Sequence, residues 1–321
     1  MASVPSSANV VVIGAGIVGN SLVDHLARLG WTDIVQIDKG PLPNPGGSTG
    51  HASNFIFPVD HNKEMALLGV QSANQYRDVD RSVDSGGIEV ARTEERMHEL
   101  QRRMTSATAW GVEAKLLEPS EVKELVPFID DDVILGGFYC PTVSVVDSLD
   151  TGTLFRNEAI EKTGMQVFAN TEVLDVETED EPATGLKKVT AVVTDKGRIE
   201  AEYVVIACGV WSNRIANMAG ATIPLVPAVH QMADVGPIDV LVETNNEIGY
   251  PIVRDMDTFC YERQSAGSME VGSYAHRPIL HHPDSIPSNE EAALSPTEMP
   301  FTQDDFDPQM EQAIELMDML G

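Results

Sequence analysis

A glycine-rich turn close to the amino terminus constrains the fold of this chain more than any other feature. Residues 10–13 have the pattern of a short buried strand, and Gly14-Ala15-Gly16-Ile17-Val18-Gly19 follows at once. Apolar spacing then predicts a helix that ends at Gly30, and a second strand over residues 34–37 stops at Asp38. This is the order of a β-α-β unit whose turn fits a dinucleotide.

The three glycines of this turn have separate roles. Gly14 permits the tight turn, Gly16 lets the backbone approach a pyrophosphate, and Gly19 lets the helix lie close to the strand. The helix N-terminus offers N–H groups to the phosphates, and Asp38 is placed to accept a hydrogen bond from a ribose hydroxyl. The alternative is an ordinary glycine-rich turn. Because strand, helix and acid are all in place, we predict dinucleotide binding.

Two features favour FAD as the dinucleotide. The β-α-β unit lies at the extreme amino terminus, and a predicted strand at residues 203–207 runs into Cys208-Gly209-Val210-Trp211-Ser212. That segment resembles the one at which flavoproteins of this fold bring the chain back past the cofactor. By itself it is equally consistent with a plain turn from a strand to a helix.

Composition excludes several classes of protein. The 321 residues include 21 Lys and Arg against 50 Asp and Glu, a net charge of −29, so the surface repels phosphate backbones and nucleic-acid binding is not expected. With 42% hydrophobic residues the chain is nonetheless globular, and we interpret its acidity as that of a halophilic protein. At molar salt the Debye length of about 3 Å would screen the self-repulsion.

Neither a metal site nor a membrane span is predicted. The three cysteines, Cys140, Cys208 and Cys260, are widely separated and form no CxxC pair. The amino-terminal apolar run is far shorter than the roughly 18 residues of a span and lacks the features of a signal peptide. We therefore expect a cytoplasmic protein with reduced thiols.

A loop rich in glycine and serine carries a family resemblance. The run Gly46-Gly47-Ser48-Thr49-Gly50-His51-Ala52-Ser53 resembles the GGSTxHA segment of the dimethylglycine and sarcosine dehydrogenase/oxidase family, which has the D-amino-acid-oxidase (DAO) type of fold. Four shorter segments match in family order: GGIEVA from Gly86, AWGVE from Ala109, LGG from Leu135 and GSYAHRP from Gly272. The resemblance implies an α/β protein with a Rossmann-like FAD-binding domain and a mixed α+β substrate domain.

The order of predicted elements divides the chain in the same way. We assign residues 1–78 and 148–225 to a discontinuous FAD-binding domain, and residues 79–147 and 226–321 to the substrate domain and a C-terminal helix. Helices are predicted at residues 63–76, 94–110, 154–162 and 306–319, with a short one opened by Pro119. Strands are predicted at residues 87–91, 133–139, 166–168, 173–176 and 189–194, with a polar loop at residues 177–185.

Family members are typically longer than this chain. The resemblance implies a last FAD-contacting strand and a folate-binding domain after the region matched here, and the electron acceptor could be an electron-transfer flavoprotein or oxygen. We therefore expect the chain to be the amino-terminal portion of such a protein, truncated at its C-terminus, or to work with a separate polypeptide.

The resemblance also implies how the cofactor is held. His51 matches the histidine that the family bonds covalently to the 8α position of the flavin, and a loop position suits such a role. The other interpretation is a loop histidine exposed to water. The predicted cofactor-binding residues are Gly14, Gly16, Gly19, Asp38, Lys39, Ser48, Thr49, His51, Val173 and Gly209.

Two residues are predicted to be catalytic. His230 matches a family active-site histidine and, if neutral near pH 7, could bind the substrate or relay its amine proton. Tyr261 is the second, although only one tyrosine is present here where some family members have two. Both His230 and Tyr261 could instead be packed core residues. The stretch from Pro141 to Asp147 also departs from the family pattern. Arg254 or Arg277 could bind a substrate carboxylate, and the sequence does not choose between them.

The reaction that the resemblance implies is oxidation of a small N-methylated amino acid, dimethylglycine or sarcosine. Hydride would pass from an N-methyl carbon to flavin N5 and leave an iminium. Two alternatives stay open: another amino-acid oxidase of the same fold, such as a glycine or D-amino-acid oxidase, and a non-catalytic regulatory homologue.

Overall fold

The computed structural model describes residues 3–321. The helices, in chain order, are α1 Ile17–Arg28, α2 Lys63–Asp78, α3 Glu94–Trp110, α4 Pro119–Leu125, α5 Ser148–Thr163, α6 Ser212–Met218, α7 Asp239–Thr244 and α8 Gln303–Leu316. The strands are β1 Ser7–Ile13, β2 Ile34–Ile37, β3 Phe55–Ile56, β4 Ser82–Asp84, β5 Gly87–Ala91, β6 Lys115–Leu117, β7 Gly136–Cys140, β8 Ser144–Val146, β9 Gln166–Phe168, β10 Val173–Asp180, β11 Lys187–Thr194, β12 Gly197–Ile206, β13 Ala228–Val229, β14 Gln231–Val235, β15 Ile252–Asp255, β16 Cys260–Ser265, β17 Ser268–Ser273 and β18 Ile279–Leu280.

The chain folds into two compact units. Unit 1 contains Met1–Ala52, Asp147–Ala228 and Leu280–Met299, and unit 2 contains Ser53–Val146, Val229–Ile279 and Pro300–Gly321. Residues 53–78, which the sequence analysis placed in the first domain, belong to unit 2, and residues 280–299, placed in the second, belong to unit 1. The assignment of a function to each part stays a prediction.

Unit 1 is built on a six-stranded sheet in the order β10-β11-β12-β1-β2-β9. The strands β12, β1, β2 and β9 pair in parallel, and β10 and β11 extend the sheet as an antiparallel hairpin. Alternate residues of β1 face opposite sides: Val10 and Val12 pack with Val23 of α1 and Ala159 of α5, while Val11 and Ile13 contribute to a second core. Burial on both faces explains the continuous apolar run of β1.

Unit 2 is built on a seven-stranded sheet in the order β14-β17-β16-β15-β5-β7-β6. One face is apolar: Val90, Val253 and Val271 pack against α8 residues such as Phe306 and Leu316. The strand period of two then directs the intervening side chains to the opposite face. That second face carries an unusual number of polar and charged groups, which form the site described below.

The fold that the sequence predicted is confirmed, and so are several elements at their full length: β2, β5, β9 and α3 begin and end where the pattern placed them. Several predictions were wrong in extent: strand β12, for example, begins at Gly197 rather than at residue 203, and β7 begins at Gly136 rather than at residue 133. Helix α5 begins at Ser148, six residues before the predicted start, because Asp147 caps it by accepting a hydrogen bond from Asp150 N at 2.8 Å. The loop predicted at 177–185 is partly strand, and α8 ends at Leu316.

No helix within residues 3–321 is long and apolar enough to cross a membrane. The same part of the chain contains no cluster of three or more His, Cys, Asp or Glu side chains that could hold a metal ion.

Candidate active site

The glycine-rich turn of unit 1 admits no larger residue at two of its positions. Gly14 has a φ of 112°, and a Cβ there would lie 2.3 Å from the carbonyl oxygen of Ala207. A Cβ on Gly19 would lie 2.1 Å from the carbonyl oxygen of Gly14. The start of α1 is therefore pressed against the ends of β1 and β12, which is the close approach that a pyrophosphate-binding turn requires.

Polar groups surround the N-terminus of α1. Asp38, at the end of β2, accepts hydrogen bonds from Ala15 N at 2.6 Å and Gly40 N at 2.8 Å, while burial raises the pKa of its carboxyl. Thr49 accepts one from Ile17 N at 3.1 Å. The first turn of α1 carries no acidic side chain, so its dipole is left for an anion. A carboxylate has about four acceptor positions, so Asp38 retains capacity for a ribose hydroxyl, and these residues fit an FAD dinucleotide.

The remaining predicted cofactor residues are dispersed over unit 1. Ser48 and Thr49 lie in a single 3₁₀ turn, Ser48–Gly50, and Gly209 begins another, with two residues between it and the end of β12. Val173 is buried at the start of β10. Lys39 forms an exposed ion pair with Glu172 at 2.9 Å, so its ammonium group has a partner within the protein.

His51 ends the glycine-rich loop and is half-buried. Its Nε2 lies 3.3 Å from the hydroxyl of Thr297, and the hydroxyls of Thr297 and Ser295 both donate to the carbonyl oxygen of Gly46 at 3.0 Å. Burial lowers the pKa of His51, and the charge of Glu298 opposes this. The imidazole is therefore neutral near pH 7, the form with an unshared pair on one ring nitrogen.

In unit 2, Tyr261 lies at the centre of a hydrogen-bonded group on the polar face of the large sheet. Its hydroxyl lies 2.6 Å from Ser53 Oγ and 3.2 Å from His230 Nε2, with the sulfur of Met232 at 3.9 Å. The side chain is 1% exposed, and burial raises the pKa of the phenol, which therefore stays protonated. The structure thus brings the two predicted catalytic residues into direct contact.

Aromatic rings hold this group in place. The ring of His230 stacks on Tyr274 with centroids 4.6 Å apart, and Phe55 meets Tyr261 edge to face at 5.0 Å. Although one side of His230 is exposed, burial of the ring lowers its pKa, and the charge of His276 lowers it further. His230 is accordingly a neutral imidazole that can accept a proton.

The two candidate arginines differ sharply in their surroundings. Arg254 lies directly across from Tyr261 in the β15–β16 register, stacks over Phe57 at 4.8 Å and bonds Glu89 at 3.2 Å. Its Nε is buried and has no hydrogen-bond partner among residues 3–321. Arg277 is exposed and makes two 2.9 Å bonds to Asp305. Only Arg254 therefore combines proximity to Tyr261 with an unused donor.

Sequence reasoning missed three residues of these arrangements. Ser53 was part of the recognised loop, but its contact is to a residue 208 positions later. Thr297 and Ser295 lie in an acidic, proline-rich stretch without periodicity, 246 and 249 positions from their partners His51 and Gly46. No local signal marks such contacts, because they arise only when distant segments pack together.

Comparison with protein families gives one match that spans nearly the whole chain. The model of the DAO family, described as FAD dependent oxidoreductase, matches residues 9–320.

Curated relatives cover most of the chain. The mitochondrial sarcosine dehydrogenase of Mus musculus is 32% identical over 86% of the chain and 30% of its own length. The mitochondrial dimethylglycine dehydrogenase of Rattus norvegicus is 28% identical over 83% and 31%. The mitochondrial pyruvate dehydrogenase phosphatase regulatory subunit of Mus musculus is 29% identical over 86% and 31%. The chain thus spans about a third of the length of these relatives.

Among solved structures, L-proline dehydrogenase from P. horikoshii superposes with a TM-score of 0.81. The match covers 99% of this chain and 79% of that one at 23% identity, and it shows a shared fold.

Proposed function

Because the chain belongs to the DAO family of FAD dependent oxidoreductases, we propose that it oxidises a small N-methylated amino acid such as dimethylglycine or sarcosine. The observation that carries the proposal is the polar face of the unit 2 sheet. There Arg254 offers a free guanidinium donor, and His230 offers a neutral imidazole held by Tyr261. A carboxylate and an amine are the two groups that such a pair recognises.

Arg254, His230 and Tyr261 have different roles, and each role follows from the chemistry of the side chain. Arg254 binds the substrate carboxylate, since a buried guanidinium with an unused N–H gains a charge-assisted hydrogen bond. His230 accepts the proton of the substrate ammonium, which frees the nitrogen lone pair that oxidation requires. Tyr261 remains a phenol throughout and orients the imidazole through its 3.2 Å contact.

Unit 1 binds FAD, which supplies the hydride acceptor when bound. Gly14, Gly16 and Gly19 would give the backbone access to the pyrophosphate, and Asp38 would accept a hydrogen bond from the ribose. His51 would hold the flavin covalently, and its lowered pKa keeps the ring neutral near pH 7, the form that has a lone pair for such a bond. Family resemblance further suggests an electron-transfer flavoprotein and a folate domain as partners.

The reaction can be tested without knowing the natural electron acceptor. Under anaerobic conditions the flavin absorbance of the purified protein is followed after addition of sarcosine, dimethylglycine or betaine. We expect bleaching by sarcosine or dimethylglycine but not by betaine, whose quaternary nitrogen has no lone pair. If none of them bleaches a flavin-loaded protein, the proposed oxidation is wrong. A non-catalytic role, like that of a regulatory subunit, then becomes the better proposal.

A matched pair of substitutions tests the assignment of Arg254. We expect Arg254→Lys to raise the substrate concentration for half-maximal bleaching by about tenfold or more. The reason is the loss of one charge-assisted hydrogen bond, which contributes about 1.5–3 kcal/mol. Arg277→Lys serves as the control and should change it little, because Arg277 is already paired with Asp305. Equal effects of the two substitutions would contradict the assignment.

A separate measurement tests whether His51 bonds the flavin covalently. We expect His51→Ala to fold normally and to lose all flavin that survives denaturation, since a loop imidazole contributes little core area. Acid precipitation and a fluorescence scan of a denaturing gel measure this. Equal fluorescence in mutant and wild type would exclude the covalent link.

A further inference from the structure

We propose that Glu89 and Arg103 are positioning residues for Arg254 and set the charge that a substrate carboxylate meets. Glu89 holds one nitrogen of the Arg254 guanidinium, and Arg103 balances the negative charge of Glu89. Arg254 then presents a net positive charge suited to a single carboxylate. The inference rests on the proposed function for its catalytic meaning, but the binding of a carboxylate can be measured without any oxidation.

Glu89 bridges two arginines on the polar face of the unit 2 sheet. Its Oε1 accepts hydrogen bonds from Arg103 Nη1 at 2.8 Å and from Arg254 Nη1 at 3.2 Å. The register places Glu89 on β5 directly across from Arg254 on β15, so the two side chains leave the same face of the sheet. Arg103 comes from α3, which packs on β5 and β7. The contact therefore joins one helix and two strands.

The three bridged side chains lie at different depths. The side chain of Glu89 is 1% exposed and that of Arg103 is 7% exposed, whereas that of Arg254 is 19% exposed. Glu89 Oε2 has no hydrogen-bond partner within residues 3–321, so over that part of the chain only the two arginines donate to its carboxylate. Arg254 is therefore the member of the group that a substrate can reach.

The contact with Glu89 decides which edge of the Arg254 guanidinium remains free. Glu89 occupies Nη1, and the ring of Phe57 lies 4.8 Å from the guanidinium carbon. Nε and Nη2 form the other edge, which takes a carboxylate through two parallel hydrogen bonds. Arg277 shows this geometry in the same chain, since its Nε and Nη2 each donate to Asp305 at 2.9 Å. Arg254 Nε has no partner among residues 3–321, so its edge is left for a ligand.

The charges of the group explain the presence of a second arginine. An oxygen that accepts from two guanidiniums belongs to an ionised carboxylate, and with Arg254 alone that carboxylate would cancel the arginine charge. Arg103 supplies a second positive charge, so the three side chains together carry one positive charge. Because Arg254 is the accessible member, this charge is offered at its free edge, where it matches a substrate with one carboxylate.

The charged neighbour of this group does not cancel its net charge. Glu99 lies 3.6 Å from Arg103 Nε, but it is 25% exposed and bonds both Nε and Nη2 of Arg102. Its charge is therefore shared with a second arginine and screened by water and salt. His61 Nε2 lies 3.5 Å from Arg103 Nη2 and adds no negative charge. The group thus stays positive.

Binding of methoxyacetate tests the inference, because this monoanion has an ether oxygen in place of the amine of sarcosine and so has no amine to oxidise. Binding to the ¹⁵N-arginine-labelled full chain is followed through the Nε–H signal of Arg254, which is assigned by its loss in Arg254→Lys. In wild type we expect a saturable shift of this signal as the carboxylate accepts from Nε. A signal that does not move while methoxyacetate is added would overturn the inference.

Three variants then change the charge of the group in steps. Arg103→Met leaves Glu89 and Arg254 to cancel each other, so we expect methoxyacetate to bind at least about tenfold more weakly. The double variant Arg103→Met with Glu89→Gln carries one positive charge again, and the amide oxygen can still accept from Arg254. Its affinity should return to within about threefold of wild type. Glu89→Gln alone adds a positive charge and should tighten binding. Recovery in the double variant is not expected if Arg103 contributes packing alone.

Arg102→Met is the matched control, because it removes an exposed arginine from the neighbouring position of α3 and should leave the affinity unchanged. Where Arg103→Met does not fold by circular dichroism, the double variant and Glu89→Gln decide the question. An Arg103→Met protein that binds like wild type, a double variant that binds tenfold more weakly, or a Glu89→Gln protein that binds more weakly than wild type would overturn the inference.

The inference and the proposed function can fail separately. If methoxyacetate follows the expected order of affinities but no substrate bleaches the flavin, the charge arrangement stands and the proposed oxidation fails. If sarcosine or dimethylglycine bleaches the flavin but the affinities for methoxyacetate do not follow that order, the proposed oxidation stands and the roles of Glu89 and Arg103 are wrong.

Discussion

At Gly272 the backbone of β17 lies directly under the ring of Tyr261. A Cβ at this position would lie 2.1 Å from the ring carbon that bears the hydroxyl. Because that ring is buried between Phe55 and the sheet, it has little room to retreat. The position of the phenol therefore depends on the absence of one methyl group on the neighbouring strand.

We expect Gly272→Ala to destabilise the protein by about 1–3 kcal/mol, the usual cost of overpacking, and to abolish flavin bleaching by substrate. Gly69, inside α2, is the control, since its Cβ would have no atom nearer than 3.6 Å. Gly69→Ala should be neutral or stabilising by about 0.5–1 kcal/mol. Denaturant unfolding measures both changes, and a Gly272→Ala protein as stable and active as wild type would contradict the packing argument.

Glu262 is a residue whose ionisation opposes folding. It lies on the apolar face of the same sheet, is 2% exposed, and neither carboxyl oxygen has a hydrogen-bond partner in residues 3–321. Burial, reinforced by the charge of Asp255, raises its pKa well above the ordinary value, while Arg92 opposes this. The folded protein therefore keeps the proton of Glu262 to a higher pH than the unfolded chain, which ionises it near pH 4.5.

The sign of the pH dependence follows. Below the pKa that Glu262 has in the unfolded chain, the folded and unfolded states are both protonated, and this residue does not change the free energy of unfolding. As the pH rises from there toward the folded pKa, the unfolded state alone releases a proton, so the free energy of unfolding falls. We expect Glu262→Gln to flatten this fall, and Glu311→Gln, an exposed change on α8, to leave it unchanged. Unfolding measured between pH 5 and 8 would refute the assignment if all three proteins showed the same slope.

At the scale of an element, α1 depends on one glycine for its distance from β1. Gly19 faces the carbonyl oxygen of Gly14 so closely that any side chain would push the helix away. We expect Gly19→Ala to weaken FAD binding at least tenfold, because the N–H groups of the turn would move from the pyrophosphate. Ser21→Ala, on the same helix, should leave the affinity unchanged. Titration of FAD into non-covalent His51→Ala variants of each measures the effect, and equal affinities would exclude this role of Gly19.

The hairpin of β10 and β11 shows where local patterns fail. Residues 177–180 are polar and were predicted as loop, yet they continue β10, because Asp180 pairs with Lys187 in the ladder and their side chains form a 2.7 Å ion pair. A strand segment that is exposed to solvent lacks the alternation of apolar and polar residues from which a strand is predicted. Buried elements such as β1, β2 and β5 were predictable because burial imposes a pattern.

The residues of the candidate site also differ in whether a local sequence pattern could predict them. The glycine turn and Asp38 could be predicted because their spacing is local and dictated by backbone geometry. His51, His230 and Tyr261 came from family resemblance, and their site roles stay predictions. Ser53 carried no signal, since a serine in a loop acquires meaning only from the contacts that folding creates.

At the scale of the whole molecule, net charge governs stability. A formal charge of −29 repels itself at low ionic strength, and the Debye length falls from about 30 Å at 0.01 M salt to about 8 Å at 0.15 M. We expect the melting temperature to rise with potassium chloride, most steeply over this range, and to keep rising toward molar salt. A melting temperature that is flat or falls would refute the halophilic interpretation.

The two units have three segments each, so the chain passes from one to the other five times. No contiguous stretch of gene therefore encodes either unit alone. A single exchange of contiguous DNA therefore cannot replace one unit while keeping the other, as it can in proteins whose domains follow one another. A change confined to one unit has to be made segment by segment, in three separate parts of the chain.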